Sequence, residues 1–173
     1  MECRNVGSAG IQTNGLIFAG NSGSLSAATE SYDGTNWTTI AAMATARQAV
    51  QYGVVGTASA TFAAGGETPS VVTTTEEFTT SIYSPIAATW ASGGSLNTKH
   101  NGGAGAGIQT AALVAGGNDA LPPNYSTTAT EEYNGTSWTT VNSRSVSVFN
   151  ASGSGLQTAA LAFGGNTYPG VSN

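Results

Sequence analysis

The chain contains one phrase twice, in which an acidic residue precedes an aromatic residue, a turn and a tryptophan. The phrase reads ATESYDGTNWTTI over residues 28–40 and ATEEYNGTSWTTV over residues 129–141. Asp33-Gly34 and Asn134-Gly135 are turn pairs that accept positive φ, and the Thr, Tyr and Trp residues around them favour a pleated surface. The phrase therefore predicts a β-hairpin, and its second occurrence indicates a repeat architecture.

Two more sequence columns recur in the same order. One is a run of small and branched apolar residues: GIQTNGLIFAGN, GTASATFAAGGE, GIQTAALVAGGN and GLQTAALAFGGN. The glycines that close these runs are Gly20, Gly66, Gly117 and Gly165. The other column is tryptophan, at Trp37, Trp90 and Trp138. Because each apolar run is short and ends at glycine, it favours a strand buried on both faces over a helix.

The acidic column is assigned to Glu30, Glu77 and Glu132, each expected to be a structural, hydrogen-bonded carboxylate. The neighbouring Glu76 and Glu131 are expected to face solvent. A segment rich in Gly and Ala, such as NGGAGAG, precedes each apolar run and suits a crowded position where sheets converge. The four predicted strands make an antiparallel sheet of about 50 residues, which is typical of a propeller blade.

In the order of these columns, the chain resembles the kelch family of β-propellers. Glycine pairs stand at 65–66, 116–117 and 164–165, and a basic residue follows the tryptophan at Arg47 and His100. Val148 departs from this basic position, and Arg4 is expected to hold it in the first repeat. The composition rich in Thr, Ser, Gly and Ala is similar to that of the kelch-like repeats of bacteriophage virion proteins.

This resemblance implies a single all-β region over residues 1–173, a β-propeller of four-stranded kelch-like blades. The blades are expected at approximately 4–46, 47–99 and 100–147, with a half blade at 148–173. About 3.5 blades fall short of the roughly four to eight that close a ring, and open sheet edges invite pairing. We therefore expect a partial ring that further chain, symmetry mates or a neighbouring subunit completes.

The open edges lead to a prediction about the oligomeric state. We expect the chain to associate with other copies of itself in solution, because free sheet edges and uncovered blade faces can pair with another chain. Light scattering at micromolar concentration measures this directly. A compact monomer of 17.2 kDa would contradict the expectation.

Low charge excludes several classes of partner. Only 8% of residues are charged, with four Lys plus Arg and a net charge of −5. A nucleic-acid groove or a polybasic membrane patch needs clustered cations, which this chain does not supply. No apolar run approaches the ~20 residues of a membrane span, and Cys3 is the single cysteine. We expect no nucleic-acid partner, no membrane insertion and no internal disulfide.

The sequence shows no catalytic constellation, metal cluster or cofactor motif, and we predict a non-enzymatic protein. His100 is the only histidine and holds the basic position of the repeat. SYDGTNW over residues 31–37 is one residue short of the Asp-box of sialidase propellers, and the three arginines do not form a substrate-binding cluster. A carbohydrate-active propeller, sialidase-like or otherwise hydrolytic, is the alternative. An intracellular kelch adaptor is a third hypothesis, disfavoured by the low loop charge.

Loops that follow the glycine pairs are the candidate binding surface, because rigid scaffolds present functional residues on loops. These loops cover residues 67–72, 118–126 and 166–172 and should lie on one face. The candidate binding residues are Asn118, Asp119, Tyr125 and Tyr168. Proline stiffens the loops, and tyrosine suits protein or glycan contact. We expect a structural or binding module in a virion or extracellular assembly, with copies of itself, other subunits or glycan as partners.

Overall fold

A computed structural model describes residues 4–50, 53, 55–80, 88–120 and 125–167 of the chain. Regular structure in this part of the chain is entirely β. The strands are β1 (Gly7–Ile11), β2 (Asn14–Phe18), β3 (Thr29–Tyr32), β4 (Trp37–Ile40), β5 (Ala60–Ala64), β6 (Thr75–Thr79), β7 (Thr89–Ser92), β8 (Ala104–Ile108), β9 (Ala111–Ala115), β10 (Thr130–Tyr133), β11 (Trp138–Val141), β12 (Ser152–Leu156) and β13 (Ala159–Phe163).

The strands form four antiparallel sheets in chain order. The first sheet is β1-β2-β3-β4 and the third is β8-β9-β10-β11. The second sheet is β5-β6-β7, and the strand predicted before β5 falls partly on Gln51, Tyr52 and Val54, which lie outside the described residues. The fourth sheet is the β12-β13 pair. The prediction of an all-β fold with four-stranded sheets is confirmed; the arrangement is propeller-like, and the described sheets do not close a ring.

Each acidic-aromatic phrase lies on an antiparallel pair made by the last two strands of its sheet, β3–β4, β6–β7 or β10–β11. The aromatic residue is paired with the tryptophan in every copy: Tyr32 with Trp37, Phe78 with Trp90 and Tyr133 with Trp138. In the first and third sheets the turn is closed by a side chain. The Oδ1 of Asn134 accepts the N–H groups of residues 136 and 137, and Asp33 does the same for residues 35 and 36.

The tryptophans of the second and third sheets pack against the sheet that precedes theirs. The ring of Trp90 lies edge-on to Phe18 at 5.2 Å, and its Nε1 donates to Thr29 Oγ1 at 3.2 Å. In the same way, the ring of Trp138 lies 5.8 Å from Phe62. Trp37 begins β4 of the first sheet. No described sheet precedes this sheet, and 51% of the Trp37 surface is exposed.

Apolar side chains fill the spaces between neighbouring sheets. Leu16 and Phe18 of the first sheet meet Ala63 and Phe78 of the second in one buried cluster. A second cluster joins the second sheet to Tyr133 and Trp138 of the third. A third, smaller one lies between the third and fourth sheets. The core is therefore a series of interfaces, each made by two consecutive sheets.

The innermost strands approach each other so closely that only glycine fits. A Cβ placed on Gly153 would lie 2.2 Å from the carbonyl oxygen of Gly105, and one on Gly53 would lie 2.3 Å from that of Gly153. Ordinary contacts of a Cβ are longer than 3.4 Å, so a larger residue would force these strands apart. The expectation that small residues mark the crowded convergence of the sheets is confirmed.

A glutamine in the turn between two strands ties the third sheet to the second and the fourth sheet to the third. Gln109 Nε2 donates to Phe78 O at 3.2 Å and to Thr79 Oγ1 at 3.0 Å. Gln157 Nε2 donates to the carbonyls of residues 112 and 133 at 2.8 and 2.9 Å. The second sheet has Ala58 at this position, and a cleft of about 480 Å³ separates it from the first sheet there.

This pattern predicts opposite effects for two substitutions. Gln109→Ala should lower the free energy of unfolding by about 1 kcal/mol, because two hydrogen bonds between sheets are lost. Ala58→Gln should raise it by about 0.5 kcal/mol, because the new carboxamide can reach the third strand of the first sheet. Both changes are measured by urea unfolding. Gln12→Ala is the matched control, since Gln12 is exposed at the same turn of the first sheet. Equal losses for Gln12→Ala and Gln109→Ala would contradict the bridging role.

Candidate functional site

The glycine pairs bring each loop beside the start of the next repeat. Gly66 donates its N–H to His100 O at 2.9 Å, and Gly117 donates to Val148 O at 2.7 Å. Both glycines of these pairs have positive φ, and a Cβ on Gly65 would lie 2.4 Å from the same oxygen of His100. A side chain at this position would therefore push the following repeat away from the loop.

Two of the predicted loops border one groove between the second and third sheets, with a volume of about 420 Å³. The loop after Gly66 forms one wall and the loop after Gly117 forms the other. The residues that line this loop groove are Glu67, Pro69, Ser70, Val71, Lys99, Asn101, Asn118, Ala120 and Tyr125. The groove contains one cation, one carboxylate, two carboxamides and one phenol ring, which suits a polar ligand with an apolar face.

Backbone pairing holds the floor of the loop groove. Asn101 and Asn118 exchange two backbone hydrogen bonds, of 2.9 and 2.7 Å. The side chain of Asn118 accepts the N–H of Ala120 at 2.7 Å, while Glu67 Oε2 accepts from Asn101 Nδ2 at 3.2 Å and from Gln48 Nε2 at 3.3 Å. The carboxylate of Glu67 is thus held in place by two side-chain amides.

Two lining residues have a backbone conformation that residues other than glycine rarely adopt. The φ angles of Ala120 and Tyr125 are 60° and 49°. Such left-handed residues cost roughly 1 kcal/mol or more each and are concentrated at ligand-binding positions. Tyr125 exposes 37% of its surface at the groove. The strained backbone therefore presents this ring to solvent.

Of the predicted binding residues, the structure brings Asn118 and Tyr125 to the loop groove. Asp119 lies between lining residues of the same loop and is half-buried. Tyr168 lies outside the described residues. Sequence reasoning missed Lys99 and Asn101. Both flank His100, whose carbonyl oxygen accepts the N–H of Gly66. The basic column of the repeat was the signal that could have located them.

The acidic column differs from the prediction. Strand register aligns Glu30 with Glu76 and Glu131, two residues before the aromatic residue, and the expectation that Glu76 and Glu131 face solvent is wrong. Both are buried, with 4% and 0% of their surface exposed. Glu77 instead accepts a hydrogen bond from Tyr133 Oη, and Glu132 is half-buried on β10. Adjacent acids alternate between sheet faces, so a shift of one residue exchanges inside for outside.

Glu76 forms a buried ion pair with Arg47 in the space between the first two sheets. Arg47 Nη2 lies 2.6 Å from Glu76 Oε1, and its Nη1 donates to the carbonyls of Gly65 and Thr74 at 3.0 Å. The second oxygen of Glu76 accepts the N–H of Ala44 at 2.7 Å. Because both charges are paired and hydrogen-bonded, this pair acts as a structural link between repeats.

His100 and Glu131 repeat this arrangement between the second and third sheets. His100 Nε2 lies 3.2 Å from Glu131 Oε1, and His100 Nδ1 hydrogen-bonds the carbonyl of Gly116. Glu131 also accepts the N–H groups of Asn97 and Thr98 at 2.8 and 2.7 Å. Burial alone would raise the pKa of Glu131, but the hydrogen bonds from these three partners hold it below its ordinary value.

Arg4 does not hold the basic position of the first repeat. Arg4 forms a β-bridge with Asn21, as Gln48 does with Glu67. Arg4 is therefore equivalent to Gln48, the residue that follows Arg47. The aligned position is Cys3, which lies outside the described residues. Within the described chain, no ion pair joins Arg4 to Glu30.

The described residues contain neither a metal-binding cluster nor a membrane-spanning helix. No three or more His, Cys, Asp or Glu side chains are grouped in a way that could hold a metal ion. No helical segment there has the length and apolar character that crossing a membrane requires.

Comparisons with known proteins show the fold and no family. No family model matches the chain, and no curated protein matches it. Among solved structures, the chain is similar to one described as "Structure of YjhT", with a TM-score of 0.66 and 16% identity. The similarity covers 83% of this chain and 46% of that one, so the chain spans less than half of its length. At this identity the similarity shows the fold alone.

The lowered pKa of Glu131 predicts how stability depends on pH. Because the carboxylate is favoured in the folded state, its contribution is present above the ordinary glutamate pKa of about 4.3 and is lost as pH falls through the lowered folded value. Glu131→Gln should reduce the free energy of unfolding by about 3 kcal/mol at pH 7 and flatten its decrease in acid. Urea unfolding between neutral and acidic pH measures both effects. Glu132→Gln is the control, and an unchanged acid profile for Glu131→Gln would contradict the assignment.

Proposed function

We propose that the chain is a non-enzymatic structural and binding module of a virion or extracellular assembly, and that its loop groove contacts glycan or protein. The observation that carries this proposal is the convergence of two stiff loops on one groove with Asn101, Asn118, Lys99 and an exposed Tyr125. Carboxamides can pair with hydroxyl groups, and an exposed aromatic ring can cover an apolar sugar face. These features favour glycan as the ligand.

The number of carboxylates at the loop groove, and the pairing of the buried ones, support binding over hydrolysis. Glycoside hydrolysis generally uses two carboxyl groups that face the bond to be broken. Among the described lining residues of the loop groove, Glu67 is the single carboxylate, and two amide side chains hold it. Glu76 and Glu131 are buried and engaged with basic residues. A hydrolytic, carbohydrate-active propeller is the alternative function.

Exposed apolar residues at the two ends of the series support a role in an assembly. Trp37 lies on the outer face of the first sheet, and Leu161 and Phe163 on β13 are 64% and 50% exposed. The homologous side chains of the inner sheets are covered by a neighbour, as Trp90 and Phe18 cover each other. Apolar surface of this kind marks contact with a further packing partner.

The proposed function predicts a specific effect at Tyr125. On an oligosaccharide array, the chain should bind a subset of glycans, and Tyr125→Asn should abolish this binding because the ring is lost. Asparagine is chosen because it tolerates the positive φ at this position. Tyr125→Phe keeps the ring and should retain most binding, and Ser24→Ala on the loop of the first sheet should change nothing.

Turnover of chromogenic glycosides distinguishes the alternative. The proposal expects no hydrolysis by the folded chain. Hydrolysis that disappears in Glu67→Gln would overturn the proposal in favour of an enzyme, and equal array binding by the wild-type and Tyr125→Asn chains would remove the loop groove as the binding site.

A further inference from the structure

The fourth sheet has a free edge in the described chain. In the other three sheets the second strand pairs with a third strand: β2 with β3, β5 with β6 and β9 with β10. β13 is the equivalent second strand, and among the described strands it pairs with β12 alone. Its outer backbone groups are therefore available to an additional strand.

A carboxylate-binding position is present beside this edge. In the inner sheets, the acid of the third strand accepts backbone N–H groups from the segment that precedes its sheet. Glu76 accepts from Ala44, and Glu131 accepts from residues 97 and 98. The backbone N–H of Arg144 donates to Thr128 O, as that of Leu96 donates to Thr73 O, so Arg144 and Leu96 occupy equivalent positions. Residues 97 and 98 are therefore equivalent to Ser145 and Val146 before the fourth sheet. No described residue accepts a hydrogen bond from the backbone N–H of either.

A half-buried guanidinium in the same segment has one nitrogen without a partner. Val148 occupies the basic position that Arg47 and His100 hold in the two preceding repeats. Arg144, four residues earlier, replaces the apolar Leu96 and lies against Gly116. Its Nη1 is buried and has no hydrogen-bond partner, and burial lowers the pKa of the guanidinium. A buried guanidinium nitrogen without a partner is unfavourable, and a carboxylate would supply that partner.

The neighbouring third sheet presents the position that receives a tryptophan. Thr29 and Thr75, the first residues of β3 and β6, accept the indole N–H of Trp90 and Trp138 at 3.2 and 3.1 Å. Thr130 is the first residue of β10 and is buried like them, with 6% of its surface exposed. No tryptophan of the described chain donates to its hydroxyl group.

We propose that the β12–β13 hairpin accepts an acidic β-hairpin from a partner polypeptide, which adds to the free edge of β13. The partner's glutamate binds the N–H groups of Ser145 and Val146 and the guanidinium of Arg144, and its tryptophan donates to Thr130. The interfaces between the inner sheets define this partner chemistry: a glutamate two residues before an aromatic residue, then a turn and a tryptophan. The inference deepens the proposed assembly role and is independent of the loop groove.

A synthetic peptide tests the inference with the full chain. Its sequence is that of residues 129–141, ATEEYNGTSWTTV, which forms the same hairpin in the third sheet. With a fluorescein label, the peptide should show saturable binding to the chain by fluorescence anisotropy. The change Glu131→Gln in the peptide should weaken binding about tenfold, and Trp138→Ala should weaken it by at least as much. Glu132→Gln in the peptide is the matched control and should have an effect below about twofold.

Arg144→Met in the chain separates binding from folding. This variant should bind the peptide about tenfold more weakly, because the charge-assisted contact is lost. Its own melting temperature should stay equal or rise, because a buried guanidinium nitrogen without a partner is removed. Arg4→Met, at an exposed arginine, is the control for net charge. A purely structural role of Arg144 would instead lower the melting temperature and leave peptide affinity unchanged.

Three results would overturn the inference. The first is the absence of an anisotropy change at millimolar peptide, and the second is equal binding by the wild-type and Arg144→Met chains. The third is Arg144-dependent self-association that the peptide does not inhibit, which would make a second copy the occupant. The Tyr125→Asn chain should bind the peptide normally. A failure of the glycan experiment is therefore distinguishable from a failure of this one.

Discussion

The contact between each tryptophan and the sheet before it organises the molecule. An indole ring covers an aromatic residue of the preceding sheet, and its N–H reaches the threonine that begins the third strand there. Each sheet therefore supplies a side chain that the previous interface needs. A repeat of this kind cannot bury its apolar faces alone, so stability arises from consecutive pairs. The buried acid–base pairs connect the same consecutive sheets, and the glutamine bridges join the second sheet to the third and the third to the fourth.

The strands and hairpins could be predicted from sequence because their determinants are local. Turn pairs, short apolar runs and paired glycines each act within about ten residues. The acidic column could have been resolved in the same way, because Glu30, Glu76 and Glu131 each stand two residues before the aromatic residue; pairing with β5 shows the same alignment. In the loop groove, Asn118 and Tyr125 were predictable from their place after a glycine pair. Lys99 and Asn101 come from the next repeat, and only tertiary structure brings them there.

Some of the few charged residues of the chain lie between sheets. Arg47 and His100 contact acids inside two consecutive interfaces, and Arg144 lies in the third. The same position before each sheet changes from Met43 to Leu96 to Arg144, so the first two interfaces bury an apolar side chain where the third holds a cation. The polar surface consists mainly of Thr, Ser, Asn and Gln side chains. Low net charge thus accompanies an interior in which individual charges matter.

The close contact of Gly53, Gly105 and Gly153 also determines whether solutes can pass between the inner strands. Backbone meets backbone there without space for a single side chain, so these inner strands leave no bore wide enough for a file of water. Many propellers carry a central channel that admits small solutes. Where these glycines meet, main-chain atoms fill the space between the inner strands, and no solute can pass between them.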